Sequence, residues 1–178
     1  GNNSIDLSTL SDGTYDNCTV TVTDSAGNAG NTITLTSFTI ETVAPTVYSS
    51  TPADSTNPVA IDTNISMTFS EEMDNSTITM NTSNTSCSGT LQVSSDNFSN
   101  CIQLSSLTVS NSNKTFTVTP SSSLSYSTTY KIRLTTEVKD NGAGNTLSNQ
   151  YETGTGFTTE ATPSFVAVGG SSTSGTIL

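Results

Sequence analysis

The apolar residues of this chain come in short runs that alternate with hydroxyl residues, and no stretch carries convincing helical periodicity. Ile65, Met67 and Phe69 alternate with Ser66 and Thr68; Tyr130, Ile132 and Leu134 alternate with Lys131, Arg133 and Thr135. A period of two sends every other side chain to the same face of a pleated strand, so each run reads as a strand with one side in a core. Such runs bury their apolar faces by stacking sheet on sheet. Ile65–Phe69 continues directly into Glu71, Glu72 and Asp74 with no turn glycine between. A single helical turn is expected at Glu71–Asn75, where acids suit a helix start.

Hydrophobic residues make up 31% of the 178 residues. That level also occurs in disordered chains, but here the apolar residues are clustered, which points to small cores and Ser/Asn/Gly turns. The formal charge is −11, and the four basic residues are Lys114, Lys131, Arg133 and Lys139. Phosphates would be repelled by such a surface, so nucleic acid is disfavoured as a partner. Anionic membrane surfaces are disfavoured for the same reason, and the absence of a long apolar run argues against membrane insertion in this segment. No export signal is recognisable and Gly1 is not an initiator Met, so a fragment or a mature exported product is expected.

The cysteines are Cys18, Cys87 and Cys101. Cys87 and Cys101 flank a strand-like run and are expected to form a local disulfide, worth roughly 3 kcal/mol for a loop of about 15 residues. The alternative is a pair of reduced, partly buried thiols. Cys18 is left over, with a partner outside the chain or on another one.

Residues 1–44 read as the last strands of one domain. Cys18, Val20 and Val22 alternate with threonines, Asp24–Asn28 is a turn, and Ile33 and Leu35 resume the pattern. Phe38 and Ile40 fall on the opposite parity, which calls for a bulge or break near Thr36-Ser37. Two or three strands cannot close a sandwich, so upstream sequence or another chain is expected to complete them. Residues 41–46 form a short linker, with Pro45 holding Ala44 extended. Residues 45–160 contain a full set of strands, expected at 46–50, 61–69, 78–81, 90–94, 101–104, 107–110, 115–119, 128–136 and 156–159. The fold class expected is all-β, an Ig-like β-sandwich preceded by a partial second one.

Thr51-Pro52-Ala53-Asp54, the strand Ile61–Phe69, and Ser70-Glu71-Glu72-Met73-Asp74-Asn75-Ser76-Thr77 resemble the opening of a bacterial Ig-like domain of the SbsA type. Phe116–Pro120, Leu124–Tyr126, Thr128–Tyr130, Val138–Asp140, Gly144-Asn145 and Phe157–Thr159 extend the resemblance in order. Glu72 stands where that family usually has Pro, and the Cys87/Cys101 segment elaborates the middle. Residues 11–46 resemble the end of another bacterial Ig-like repeat. Residues 161–178 read either as a Gly/Ser linker or as the first strands of a following domain such as a β-propeller blade.

Catalysis is not expected. With no histidine, Ser-His-Asp and Cys-His arrangements cannot form within the chain. Glu71, Glu72 and Asp74, adjacent and without aromatic residues to stack a sugar, read as a solvated acidic face, not a glycosidase pair. Calcium is the better chemical candidate, because turns rich in Asp, Asn and Gly supply oxygen ligands. The candidate ligands are Asp24, Asn28, Glu41, Asp140 and Asn145, although Asp-x-x-Gly-Asn is also a good turn with no metal. An ion beside Glu41 would stiffen the linker, which resembles what calcium does in many repetitive surface adhesins.

The functional expectation is a structural or adhesive stalk segment of a large extracellular or cell-surface bacterial protein, with neighbouring Ig-like modules as spacers and a surface receptor or glycan as the outside partner. One alternative is a filament subunit completed by strand exchange between chains, with Phe165, Val166 and Val168 as anchoring side chains. Another is an accessory module of a secreted enzyme or propeller protein.

Overall fold

The computed structural model describes residues 10–164. Its N-terminal part is a hairpin. Gly13–Tyr15 (β1) pairs antiparallel with a later strand, Phe38–Ile40, and Thr19–Val20 (β2) pairs with Ile33–Thr34 (β3), which makes Phe38–Ile40 β4. Both ladders keep one register, and the N–H of Leu35 donates to the Cys18 carbonyl at 2.9 Å between them. Asp16-Asn17 and Thr36-Ser37 therefore interrupt the two sides by equal amounts. The expected break is a matched one, which is why Tyr15 and Phe38, stacked at 5.3 Å, depart from the parity of Val20 and Ile33 together. No residue from 10 to 44 is buried, and Val22 and Ile33 are 67% and 63% exposed.

The following strands are Val47–Thr51 (β5), Ile65–Phe69 (β6), Leu91–Ser94 (β7), Leu104–Ser110 (β8), Thr115–Pro120 (β9), Thr129–Leu134 (β10), Tyr151–Glu152 (β11) and Phe157–Thr158 (β12). One sheet has the order β5-β6-β9-β8, all antiparallel. The other is built on β10, with β7 on one side and β11 and β12 sharing the other. The inward residues of β6 and β10 meet in one core with Val93, Phe116, Val118, Val138 and Phe157. Phe69 packs edge-on against Phe116 at 5.8 Å, and Tyr130 stacks on Phe157 at 5.8 Å. Fully burying side chains of this size contributes roughly 1.5–3 kcal/mol each, an upper estimate set against chain entropy. The molecule is an all-β Ig-like sandwich.

Several boundaries differ from the sequence expectation. The 61–69 strand begins only at Ile65, because Asp62-Thr63-Asn64 closes a turn in which Thr63 N–H reaches the Ala60 carbonyl at 3.2 Å. The 78–81 strand shrinks to one bridge, Met80 to Leu91. The two strands at 101–104 and 107–110 become the single β8, with a register shift between Leu104 and Ser106. That bulge absorbs one residue, so Leu104 and Leu107, three apart, both lie opposite apolar or core-side positions of β9. The helical turn lies at Asn75–Thr77, later than expected, because Asp74 acts as its N-cap and accepts from the Ser76 N–H at 2.9 Å. The short β11 was not expected at all. Gly156, between β11 and β12, has φ +86°, and a side chain there would run into the Tyr130 carbonyl.

Candidate functional site

Three separate stretches meet where the linker enters the sandwich. Ser70, just past β6, donates its N–H to the Thr46 carbonyl at 2.9 Å, and its hydroxyl accepts from the Thr46 N–H at 3.0 Å. Beyond it, the acidic run lies along the Val138–Asn141 segment: Asp74 N–H donates to the Lys139 carbonyl and Asn141 N–H to the Glu72 carbonyl, both at 2.9 Å. Met73 thereby pairs with Asp140, which brings Glu71 beside Asp140. The linker delivers Glu41 to the same place. One carboxylate oxygen from each of Glu41, Glu71 and Asp140 lies within 4.8 Å of the others. Asp140 is buried, and Glu41 and Glu71 are half-buried.

The three carboxylates are in unlike states. Burial would raise the Asp140 pKa, but N–H donors from Gly144 (2.8 Å), Gly142 (2.9 Å) and Asn145 (3.0 Å) outweigh it and hold the group below the usual aspartate range. Glu71 is pushed above the usual glutamate range, first by burial and then by the charges of Glu41 and Asp140; Lys114 offsets part of this. The side-chain amide of Asn145 donates to the Glu41 carbonyl at 3.2 Å and to the Glu41 carboxylate. The oxygen donors gathered here are three carboxylates, the Glu41 carbonyl and, with its amide turned over, the Asn145 side-chain oxygen. That all-oxygen set suits a hard cation such as calcium and does not suit zinc, which prefers Cys and His.

Of the five expected ligands, the structure brings Glu41, Asp140 and Asn145 together and leaves Asp24 and Asn28 apart from them. The Asp24 carboxylate is occupied within its own turn by Ala26 N–H (2.9 Å), Asn28 N–H (2.8 Å) and the Asn28 amide (2.9 Å). These bonds, that from the Asn28 side chain first, lower its pKa. Asp96 and Asn100 repeat the two bonds made by Asn28, while the N–H of Phe98, the counterpart of Ala26, goes to Ser94 Oγ instead. Glu71 was missed as a member of this cluster because it was grouped with Glu72 and Asp74. Those two have other tasks: Asp74 caps a turn, and Glu72 accepts from the Asn113 amide at 3.2 Å. The signal for Glu71 was an acid placed directly after a core strand, where no glycine lets the chain turn away.

Cys87 and Cys101 are joined by a disulfide, with Cα atoms 4.8 Å apart, and Cys18 is free among the described residues. The strand-exchange candidates Phe165, Val166 and Val168 lie outside the described residues.

Residues 41–159 match the family model of a bacterial Ig-like domain. No curated protein matches the sequence. Among solved structures, the chain is similar to the N-terminal part of the bacterial S-layer protein SbsC, at 22% identity and a TM-score of 0.45 over 66% of this chain and 24% of that one. A structure of SbsC domains 1–6 matches at the same identity and TM-score, covering 66% of this chain and 14% of that one. The chain thus spans a quarter or less of the length of these S-layer chains.

Proposed function

The chain belongs to the bacterial Ig-like domain family, and from that premise we propose that it is a spacer segment of an extracellular, cell-surface bacterial protein, its modules joined in series through a bonded hinge that takes calcium. The observation that carries this reading is the joint. A spacer must pass orientation from one module to the next, and a free linker of a few residues would not. Here the linker residue Glu41 is fixed to the sandwich by Asn145, and Thr42 is fixed to the hairpin by Asp12, whose carboxylate accepts from the Thr42 hydroxyl at 3.0 Å. Calcium among Glu41, Glu71 and Asp140 would relieve the repulsion that raises Glu71 and tie linker to sandwich.

The outer surface suits an exposed setting: basic residues are few, which leaves few sites for trypsin-like proteases, and the middle of the chain is clasped by a disulfide, as export compartments allow. The test is rotary-shadowing electron microscopy of the native protein, with antibody labelling of intact cells. Rods or beads in series on labelled cells are expected; compact particles, or labelling only after lysis, would overturn the reading.

A further inference from the structure

The sandwich has four strand edges, and three carry a device that prevents pairing with another chain. β5 is broken by a register shift between Val47 and Ser49 and ends at Pro52. β7 is covered, with Ile102 N–H bonded to the Val93 carbonyl at 2.9 Å and Met80 bridged to Leu91. The edge formed by β11 and β12 is two fragments of two residues, with the charged Glu152 in one. β8 carries none of these beyond its opening bulge. Ser106–Ser110 runs in unbroken register with β9, contains no proline or charge, and makes no backbone bond outside that ladder among the described residues.

The side chains of this edge are sorted by face. Leu107 and Val109 lie opposite Val118 and Phe116, on the core side. Phe116 is fully buried, yet Val109 is 37% exposed, so the apolar row of the sheet continues to the edge and stops uncovered. Ser106, Thr108 and Ser110 lie opposite Thr119, Thr117 and Thr115 on the outer side.

We propose that β8 pairs antiparallel with β8 of a second copy of this chain, joining two four-stranded sheets into one across a two-fold axis at Thr108. In that register Leu107 of each copy faces Val109 of the other, Ser106 faces Ser110, and Thr108 faces itself. Apolar residues meet apolar residues on the core side and hydroxyls meet hydroxyls outside, so the strand is its own complement. The chain already uses the outer pairing internally: Ser66 with Thr117 at 2.8 Å, Thr68 with Thr115 at 3.1 Å, and Thr129 with Thr158 at 2.8 Å. Net charge −11 opposes contact between two copies elsewhere. Residues 97–113 contain no charged residue, so this edge brings no like charges together.

The test is analytical ultracentrifugation of the full chain from micromolar to about millimolar concentration, with variants of the exposed Thr108. The wild type is expected to shift toward twice the monomer mass as concentration rises. Thr108→Lys places two cations on the axis and is expected to weaken the dimer at least about tenfold, and mixing it with Thr108→Glu to restore it. Facing residues of antiparallel strands have Cα atoms roughly 4.5–5.5 Å apart, within disulfide range. In a Cys18→Ser background, Thr108→Cys should therefore cross-link on oxidation far faster than the exposed control Ser122→Cys. A wild type monomeric throughout, a dimer unaffected by Thr108→Lys, or equal cross-linking at the two positions would each overturn the proposal.

Discussion

The side-chain amide of Asn145 donates to both the backbone carbonyl and the carboxylate of Glu41, a residue 104 positions earlier in the chain. The backbone of Asn145 closes the Asp140 loop, its N–H donating to the Asp140 carboxylate and its carbonyl accepting from the Asp140 N–H, both at 3.0 Å, and its side chain, which also helps to lower the Asp140 pKa, makes this bridge. Asn145→Ala should therefore free the linker without opening the sandwich. A net loss of roughly 1 kcal/mol is expected for the hydrogen bonds, with cleavage after Glu41 by a Glu-specific protease rising several-fold. Unchanged cleavage would show that other contacts hold the linker.

Glu71 gives the second prediction, because its pKa is raised by burial and then by Glu41 and Asp140. A charge held against its neighbours is a liability in the absence of a cation and a ligand in its presence. Calcium should raise the melting temperature of the wild type by a few degrees relative to chelator. Glu71→Gln should melt higher than wild type in chelator and gain little from calcium. Equal melting of the wild type with calcium and with chelator would remove the ion from the joint.

The strands with strict alternation were legible because period two and burial on one face are the same fact stated twice: β6 and β10 sit where Ile65–Phe69 and Tyr130–Leu134 placed them. Elements whose shape comes from tertiary contact were not legible. β11 exists because Tyr151 and Glu152 lie against Leu134 and Arg133, and nothing local in Tyr151-Glu152 says so. The site divided the same way. Asp24 and Asp140 both begin turns rich in Gly and Asn, and only the fold shows that one turn closes on itself while the other lies beside Glu41 and Glu71.

Acid unfolding follows from two opposing sets of carboxylates. Asp24, Asp54, Asp74, Asp96 and Asp140 are held below the usual aspartate range. Below about pH 4 the unfolded chain binds these protons first, so the stability they lend is complete above that range and is lost as pH falls through their depressed folded values. Glu71 is raised, so from neutral pH downward the folded state takes up its proton first and stability grows. In chelator the melting temperature should rise slightly from pH 7 toward about 5 and then fall steeply below about 4. Glu71→Gln should abolish the rise and keep the fall. Asp54→Asn should blunt the fall, because Asp54 accepts from the N–H groups of Gly154, Thr155 and Gly156.

The Cys87–Cys101 clasp closes a loop that is also held from the neighbouring strand. Within it, the Gln92 amide donates to the Cys87 carbonyl at 2.9 Å. Arg133 of β10 donates to Gln92 Oε1 at 2.8 Å and sits over the Phe98 ring at 3.8 Å. For a sequence separation of 14, the chain-entropy model assigns the disulfide roughly 3 kcal/mol, so Cys87→Ser/Cys101→Ser should lower the melting temperature by roughly 10 °C or more. Arg133→Ala should cost less alone, since the disulfide still confines the loop. If both fasten the same loop, removing both should cost more than the sum of the separate losses. Strict additivity would mean that Arg133 stabilises β10 and not the loop.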